Sequence, residues 1–225
     1  MTRWTTVFWD LDGTLIDPWE GISQSVRFAL ACLGQAPLDD AALTRFIGPP
    51  LLESFRREFG WDAERCRRAV ELYRVYFRRA GIYQQRLYPG IRDLVGCLAA
   101  SGVRQVLATA KPTPFAEIIL DGHQLSPHFA AVVGSQLDGT RSSKAEVLRA
   151  AAAAAPNLEA ARAVMVGDTA EDVSAAHQLG MDSVAVQYGY GDWGAVAAAR
   201  PTATAGSVAE LARRLAGGIP GDAGS

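Results

Sequence analysis

Lysine is nearly missing from this sequence: of 22 basic residues, only Lys111 and Lys144 are lysines, and arginine supplies the other twenty. Where any cation would serve, the chain uses arginine, so these two positions are candidates for a role that needs a compact ammonium. Cysteine is also sparse. Cys32, Cys66 and Cys97 are odd in number, scattered and without C-x-x-C spacing, which argues against a disulfide framework and reads as buried thiols in a reducing compartment. No apolar run approaches the ~20 residues needed to span a membrane, and no basic-then-apolar signal segment precedes the first strand. Cytoplasmic is therefore the default, with no membrane partner. A formal charge of -2 over 225 residues lacks the one-sided excess of a dedicated nucleic-acid or polyanion binder. The length admits one large domain, or one domain plus a small one.

What is present is concentrated at the start. Val7-Phe8-Trp9 reads as a buried strand that runs straight into Asp10-Leu11-Asp12-Gly13-Thr14. At strand geometry residues i and i+2 share a face, so Asp10 and Asp12 point the same way. Two carboxylates so close repel unless a cation sits between them or one holds a proton. An EF-hand calcium loop needs glycine at its sixth position and a helix in front. Here glycine is fourth and a strand precedes, which removes that reading.

After this strand the pattern turns helical. Trp19, Ile22, Val26, Leu30 and Leu33 form one apolar stripe, and helices are expected over 38–46, 51–59 and 62–80, broken by Gly48-Pro49-Pro50. The outer face of the last is crowded with arginines and reads as a solvated surface. From Tyr88 onward strands and helices alternate. Strands are expected over 103–109, 131–134, 163–167 and 183–186; helices over 91–100, 114–121, 144–155, 170–179, near Trp193 and over 208–215. Thr113 is the expected N-cap of the helix at 114. This alternation implies an α/β fold, a doubly wound parallel sheet with helices on both faces. The helical section is far too long for a connecting loop, so it is expected to be a separate all-helical cap over 17–87. The core then comprises 1–16 and 88–217, with a flexible tail at 218–225. A cap growing out beside the carboxylates suggests a site that closes over its substrate and excludes water.

Ligands in open α/β sheets bind beyond the C-terminal strand ends, and three more constellations fall there. Thr109 ends a strand and is followed by Ala110 and Lys111; it is either a local turn residue or, with the backbone N–H groups that follow, a holder of phosphate oxygens. Ser142-Ser143-Lys144-Ala145-Glu146 has capping-box spacing, yet Lys144 falls in the first helical turn, where the macrodipole disfavours a cation. Asp168 and Asp172 lie four apart at a helix start. Asp168 either N-caps that helix with Glu171, or joins Asp10 in a hard-cation site suited to Mg²⁺.

The order D-x-D-G-T, strand-end Thr, lone Lys, then G-D-x-x-x-D resembles the four motifs of the haloacid dehalogenase-like (HAD) hydrolases, whose core is Rossmann-like. Phe46-Ile47-Gly48-Pro49-Pro50-Leu51, Ser135-Gln136-Leu137-Asp138-Gly139 and Gly189-Tyr190-Gly191 further resemble the phosphoglycolate phosphatase-like and 5′-nucleotidase-like subgroup with a helical cap. The resemblance implies an Mg²⁺-dependent phosphatase acting on a small phosphorylated metabolite. In it Asp10 is the nucleophile and Asp12 the general acid and base. Asp10, the Asp12 backbone carbonyl and Asp168 hold the metal, and Asp172 orders its waters. Thr109, Ala110 and Lys144 hold the phosphoryl group; Lys111 either joins them or is a surface lysine, and Arg45 is the candidate cap residue facing substrate. His123, His128 and His177 lie off the strand ends and read as surface or packing residues. A dehalogenase would not need Asp12, and a Schiff-base phosphonate hydrolase would carry a lysine on the cap, where there is none. A phosphosugar mutase is the nearest enzymatic rival, and a phosphate-sensing protein on a silent scaffold is the rival of another class. Neither the particular phosphoester nor the oligomeric state is legible.

Overall fold

The structure, a computed structural model, describes residues 3–138, 140–141 and 143–217. The tail at 218–225, Gly139 and Ser142 lie outside the described residues. The chain divides into two compact units, 1–16 with 87–225 and 17–86.

β1 (Thr6–Trp9) opens the larger unit, and β2 (Ile16–Asp17) carries the chain into the smaller one. That unit is helical: α1 (Trp19–Cys32), α2 (Asp40–Thr44), α3 (Leu51–Phe59) and α4 (Ala63–Arg79). α1 buries Ile22, Val26 and Leu30 along one stripe, and α4 buries Cys66, Ala69, Tyr73 and Phe77. Phe59 stacks on Trp61 with centroids 4.3 Å apart, and the Arg65 guanidinium lies over the Trp61 ring. Asp62 caps α4 by accepting from the Arg65 N–H. Arg67, Arg68, Arg78 and Arg79 are exposed, whereas Arg74 is half-buried, and burial pulls its guanidinium below the usual range.

The chain returns through β3 (Arg86–Leu87) and then alternates: α5 (Ile91–Ala100), β4 (Arg104–Pro112), α6 (Thr113–Gly122), β5 (Ala131–Ser135), α7 (Lys144–Ala153), β6 (Ala163–Gly167), α8 (Ala170–Gln178), β7 (Asp182–Val186), α9 (Trp193–Ala198), β8 (Ala203–Ala205) and α10 (Val208–Gly217). The sheet order is β5-β4-β1-β6-β7-β8, and every pairing is parallel. This is the doubly wound, Rossmann-like α/β sheet. β1 and β6 are buried along their whole length, as parallel strands covered on both faces must be. Phe8, Val106 and Met165 form an apolar layer with Val147, Leu148 and Ala151 of α7. That layer fixes α7 against the sheet and brings its first residue, Lys144, to the strand ends.

Several local expectations are corrected. β4 continues past Thr109 to Pro112, with a bulge between those residues. Thr113 is the first residue of α6 rather than its cap, because its hydroxyl accepts from the Gly134 N–H at 2.9 Å instead. β8 was not expected: Ala203-Thr204-Ala205 has little apolar bulk and is recruited by pairing with β7. Of the cysteines only Cys66 is buried; Cys32 ends α1, and Cys97 lies off the buried stripe of α5. Among the described residues no helix is long and apolar enough to cross a membrane.

Phe8 is fully buried at the centre of this layer. Phe8→Ala is expected to lower the unfolding free energy by about 3–5 kcal/mol, measured by urea titration.

Candidate active site

β1 lies between β4 and β6, with Trp9 in register with Leu107 and Val166. The chain therefore leaves the sheet at Asp10 in the crevice where strand order reverses, and the Asp10 N–H donates to the Val166 carbonyl at 2.9 Å. Gly13 follows with φ of 79°. A Cβ there would also stand 2.2 Å from Asp168 Oδ2, so glycine serves both the turn and the close approach of β6's carboxylate.

Asp10, Asp168 and Asp172 are all buried, and one oxygen of each lies within 4.8 Å of the others. Lys144 enters this cluster from the start of α7. Its Nζ donates to Asp10 Oδ1 at 2.6 Å and to the Ala108 carbonyl at 3.2 Å, and pairs with Asp172 Oδ1 at 2.8 Å. The capping box of α7 is also formed, by Ser143 and Glu146. A cation in a first turn runs against the helix macrodipole; here two buried carboxylates outweigh that. Burial works against the Lys144 ammonium, but Asp10 and Asp172 hold its pKa above the usual lysine range.

The cap of α8 differs from the expectation. Thr169, not Asp168, is the N-cap, and Asp172, not Glu171, completes the box, accepting from the Thr169 N–H and hydroxyl at 3.1 and 2.6 Å through Oδ2. Asp168 is thereby left for other work. Its Oδ2 accepts from the Tyr190 and Gly191 N–H groups, and its Oδ1 is buried with no hydrogen-bond partner among the described residues.

Asp12 stands apart from this cluster. Its Oδ2 pairs with Lys111 at 2.8 Å, and Lys111 is buried rather than a surface lysine. Thr109 is buried within β4, just before its bulge, and its hydroxyl accepts from the Lys111 N–H. Arg45 belongs to the smaller unit, where it makes a bidentate pair with Glu58. Thr14, Tyr188, Tyr190 and Gly191 carried no role from side-chain reasoning. Tyr188 donates to the Thr14 carbonyl, while Tyr190 and Gly191 contribute backbone amides, and the signal for this loop is its glycines, Gly189 and Gly191, which have no room for a Cβ.

The electrostatics are those of an anion cluster short of positive charge. Burial lifts the Asp10 carboxyl to about 6; Lys144 opposes the shift, and the Asp172 and Asp12 charges add to it. Burial, reinforced by Asp10 and Asp172, lifts Asp168 to about 7. Three carboxylates face one ammonium, which leaves a deficit of charge that a divalent cation would cancel. The unpartnered Asp168 Oδ1 supplies a ligand atom with nothing else to bind. The residues present therefore fit a hard cation held by oxygen.

A family model described as haloacid dehalogenase-like hydrolase matches residues 7–186. A 5′-nucleotidase of Pseudomonas aeruginosa is 40% identical over 95% of this chain and 96% of its own length. A phosphoglycolate phosphatase of Rhodospirillum rubrum is 33% identical over 82% of this chain and 80% of its own. The tyrosine-protein kinase PtkA of Mycobacterium tuberculosis is 40% identical over 82% of this chain but 62% of its own length. Among solved structures, a predicted phosphatase from Clostridium acetobutylicum superposes with a TM-score of 0.87, at 37% identity over 94% of this chain and 97% of that one.

The cluster makes stability depend on pH. Asp10 and Asp168 have folded-state values of about 6 and 7 against an ordinary 3.8, so between these values the folded chain binds more protons than the unfolded one. Without divalent cation, Tm is expected to fall as pH rises from about 4 to about 7. An added divalent cation should raise Tm more at the higher pH, where protons no longer compete. A gain equal at both pH values would contradict the cluster as the cation site.

Proposed function

The chain belongs to the haloacid dehalogenase-like hydrolase family, and from that premise we propose that it is a cytoplasmic, Mg²⁺-dependent phosphatase of small phosphate monoesters. A nucleoside 5′-monophosphate or a phosphoglycolate-like compound is the proposed substrate class, supported by the names of the relatives that match along nearly the whole chain. The observation that carries the reading is the convergence of Asp10, Asp168, Asp172 and Lys144 at one set of strand ends.

Asp10, the Asp12 backbone carbonyl and Asp168 would hold Mg²⁺, with Asp172 behind them. The ion supplies positive charge that draws the phosphate dianion to an anionic site and offsets charge on its oxygens. An Asp10 carboxylate oxygen attacks phosphorus; the new O–P bond forms as the ester P–O bond breaks, giving an aspartyl-phosphate. Asp12 gives its proton to the departing alkoxide, then takes one from the water that attacks the same phosphorus and releases inorganic phosphate. Lys144 fixes the Asp10 rotamer and balances charge as the dianion arrives. Lys111 is paired with Asp12; an incoming phosphate competes for that ammonium and frees the Asp12 carboxyl to carry the proton. Thr109 and the N–H of Ala110 are the proposed neutral donors to the phosphoryl oxygens.

The test is release of inorganic phosphate from a panel of monoesters, with and without Mg²⁺. Asp10→Asn is expected to lower kcat by at least about a thousandfold, with Mg²⁺ affinity reduced but folding intact by circular dichroism. Undiminished turnover in that variant would remove Asp10 as nucleophile. Phosphate moved between positions of one sugar, or from ATP to a tyrosine peptide, in place of release would replace hydrolysis by transfer.

A further inference from the structure

We propose that the loop formed by Tyr188, Gly189, Tyr190 and Gly191 is a clamp that restricts Asp168 to a single free oxygen, so that the site takes a small octahedral cation and discriminates against calcium. The proposal rests on the reading of this cluster as a divalent-cation site.

Two successive backbone amides are spent on one carboxylate oxygen. The Tyr190 and Gly191 N–H groups donate to Asp168 Oδ2 at 2.8 and 3.2 Å. Charge-assisted bonds of this kind are stronger than neutral ones, and they leave Oδ1 as the only oxygen of Asp168 without a partner. The approach is possible only for glycine. A Cβ on Gly191 would stand 1.9 Å from the Asp168 carbonyl oxygen, and one on Gly189 would stand 2.4 Å from Asp168 Oδ2 and 2.5 Å from the Gly13 carbonyl oxygen. The loop is anchored at its other side too. The Tyr188 hydroxyl donates to the Thr14 carbonyl at 3.1 Å, and its ring packs edge-on against Tyr88. One short segment thus ties the turn after β1 to the carboxylate that ends β6.

The neighbouring carboxylates are restricted in the same way. Asp172 gives Oδ2 to the Thr169 cap and Oδ1 to Lys144, and Asp10 gives Oδ1 to Lys144. No member of the cluster has both oxygens to offer. Calcium commonly takes six to eight oxygens and accepts bidentate carboxylates, whereas magnesium takes six and keeps several waters. A set of single-oxygen donors therefore suits the smaller ion.

The experiment is calorimetric titration of the protein with MgCl₂ and, separately, CaCl₂, for the wild type, Gly191→Ala, Tyr188→Phe and Gly96→Ala. Gly96 lies on α5 with open space at its Cβ and serves as the control. Gly191→Ala is expected to weaken Mg²⁺ binding by about tenfold or more and to narrow the Mg²⁺/Ca²⁺ affinity ratio, with kcat recovering at saturating Mg²⁺. Tyr188→Phe should weaken Mg²⁺ binding several-fold, and Gly96→Ala should leave it unchanged. A folded Gly191→Ala protein with wild-type affinity for both ions overturns the proposal. If that variant does not fold, an unchanged affinity in Tyr188→Phe overturns it equally. A wild type that binds Mg²⁺ and loses that binding in Gly191→Ala, but hydrolyses no phosphoester, would retire the proposed activity and leave the clamp standing. Hydrolysis with unmoved affinities would do the reverse.

Discussion

The arrangement depends on one ammonium among three buried acids. Isolated carboxylates removed from water would each cost several kcal/mol, and this chain buries Asp10, Asp168 and Asp172 side by side. Lys144 makes the cluster tolerable by pairing with two of them at once, at 2.6 and 2.8 Å. It does so from a helix position that is locally unfavourable for a cation, so the tertiary demand is read directly in the violated local preference. The capping box of Ser143 and Glu146 holds the α7 N-terminus in register, and the apolar stripe of Val147, Leu148 and Ala151 presses that helix onto the sheet. Packing therefore brings Lys144 to the rim, and its two carboxylate partners hold it there.

The sheet order does the remaining work. Because β1 sits between β4 and β6, residues from four separated stretches of sequence arrive at one rim. The local devices differ: a strand end for Asp10, a bulge for Lys111, capped helix starts for Lys144 and Asp172, and a pair of amides for Asp168. Asp12 shows how fine the sorting is. It shares a strand end with Asp10, yet it takes a separate ammonium, Lys111, and stays out of the carboxylate cluster. The two acids can thus take different tasks from neighbouring positions.

Much of this was legible in the sequence because it is written in side-chain chemistry. The scarcity of lysine singled out Lys111 and Lys144, and both prove to be buried in ion pairs. The short apolar strands and their alternation with helices pointed to the doubly wound sheet. What was not legible is written in backbone. The sequence reading paired Asp168 with Glu171 as a capping box; the cap is Thr169 with Asp172, because Asp168 is drawn away by the Tyr190 and Gly191 backbone amides. Thr113 looked like a cap for the same reason, since its competing partner, the Gly134 N–H, lies on another strand. β8 carries only two alanines as apolar signal and is recruited by pairing with β7.

The position of β1 at the sheet centre has a consequence for how the chain is made. Its partner β6 pairs with it across 157 residues of sequence. At ~5–20 residues per second, synthesis leaves Val7, Phe8 and Trp9 without that neighbour for roughly ten seconds or more. Contacts this distant in sequence also close late and slowly once the chain is complete. The nascent strand is apolar enough to join other nascent chains during this interval, so shielding on the ribosome, by a holdase or by transient helical collapse, is a requirement that the topology itself imposes.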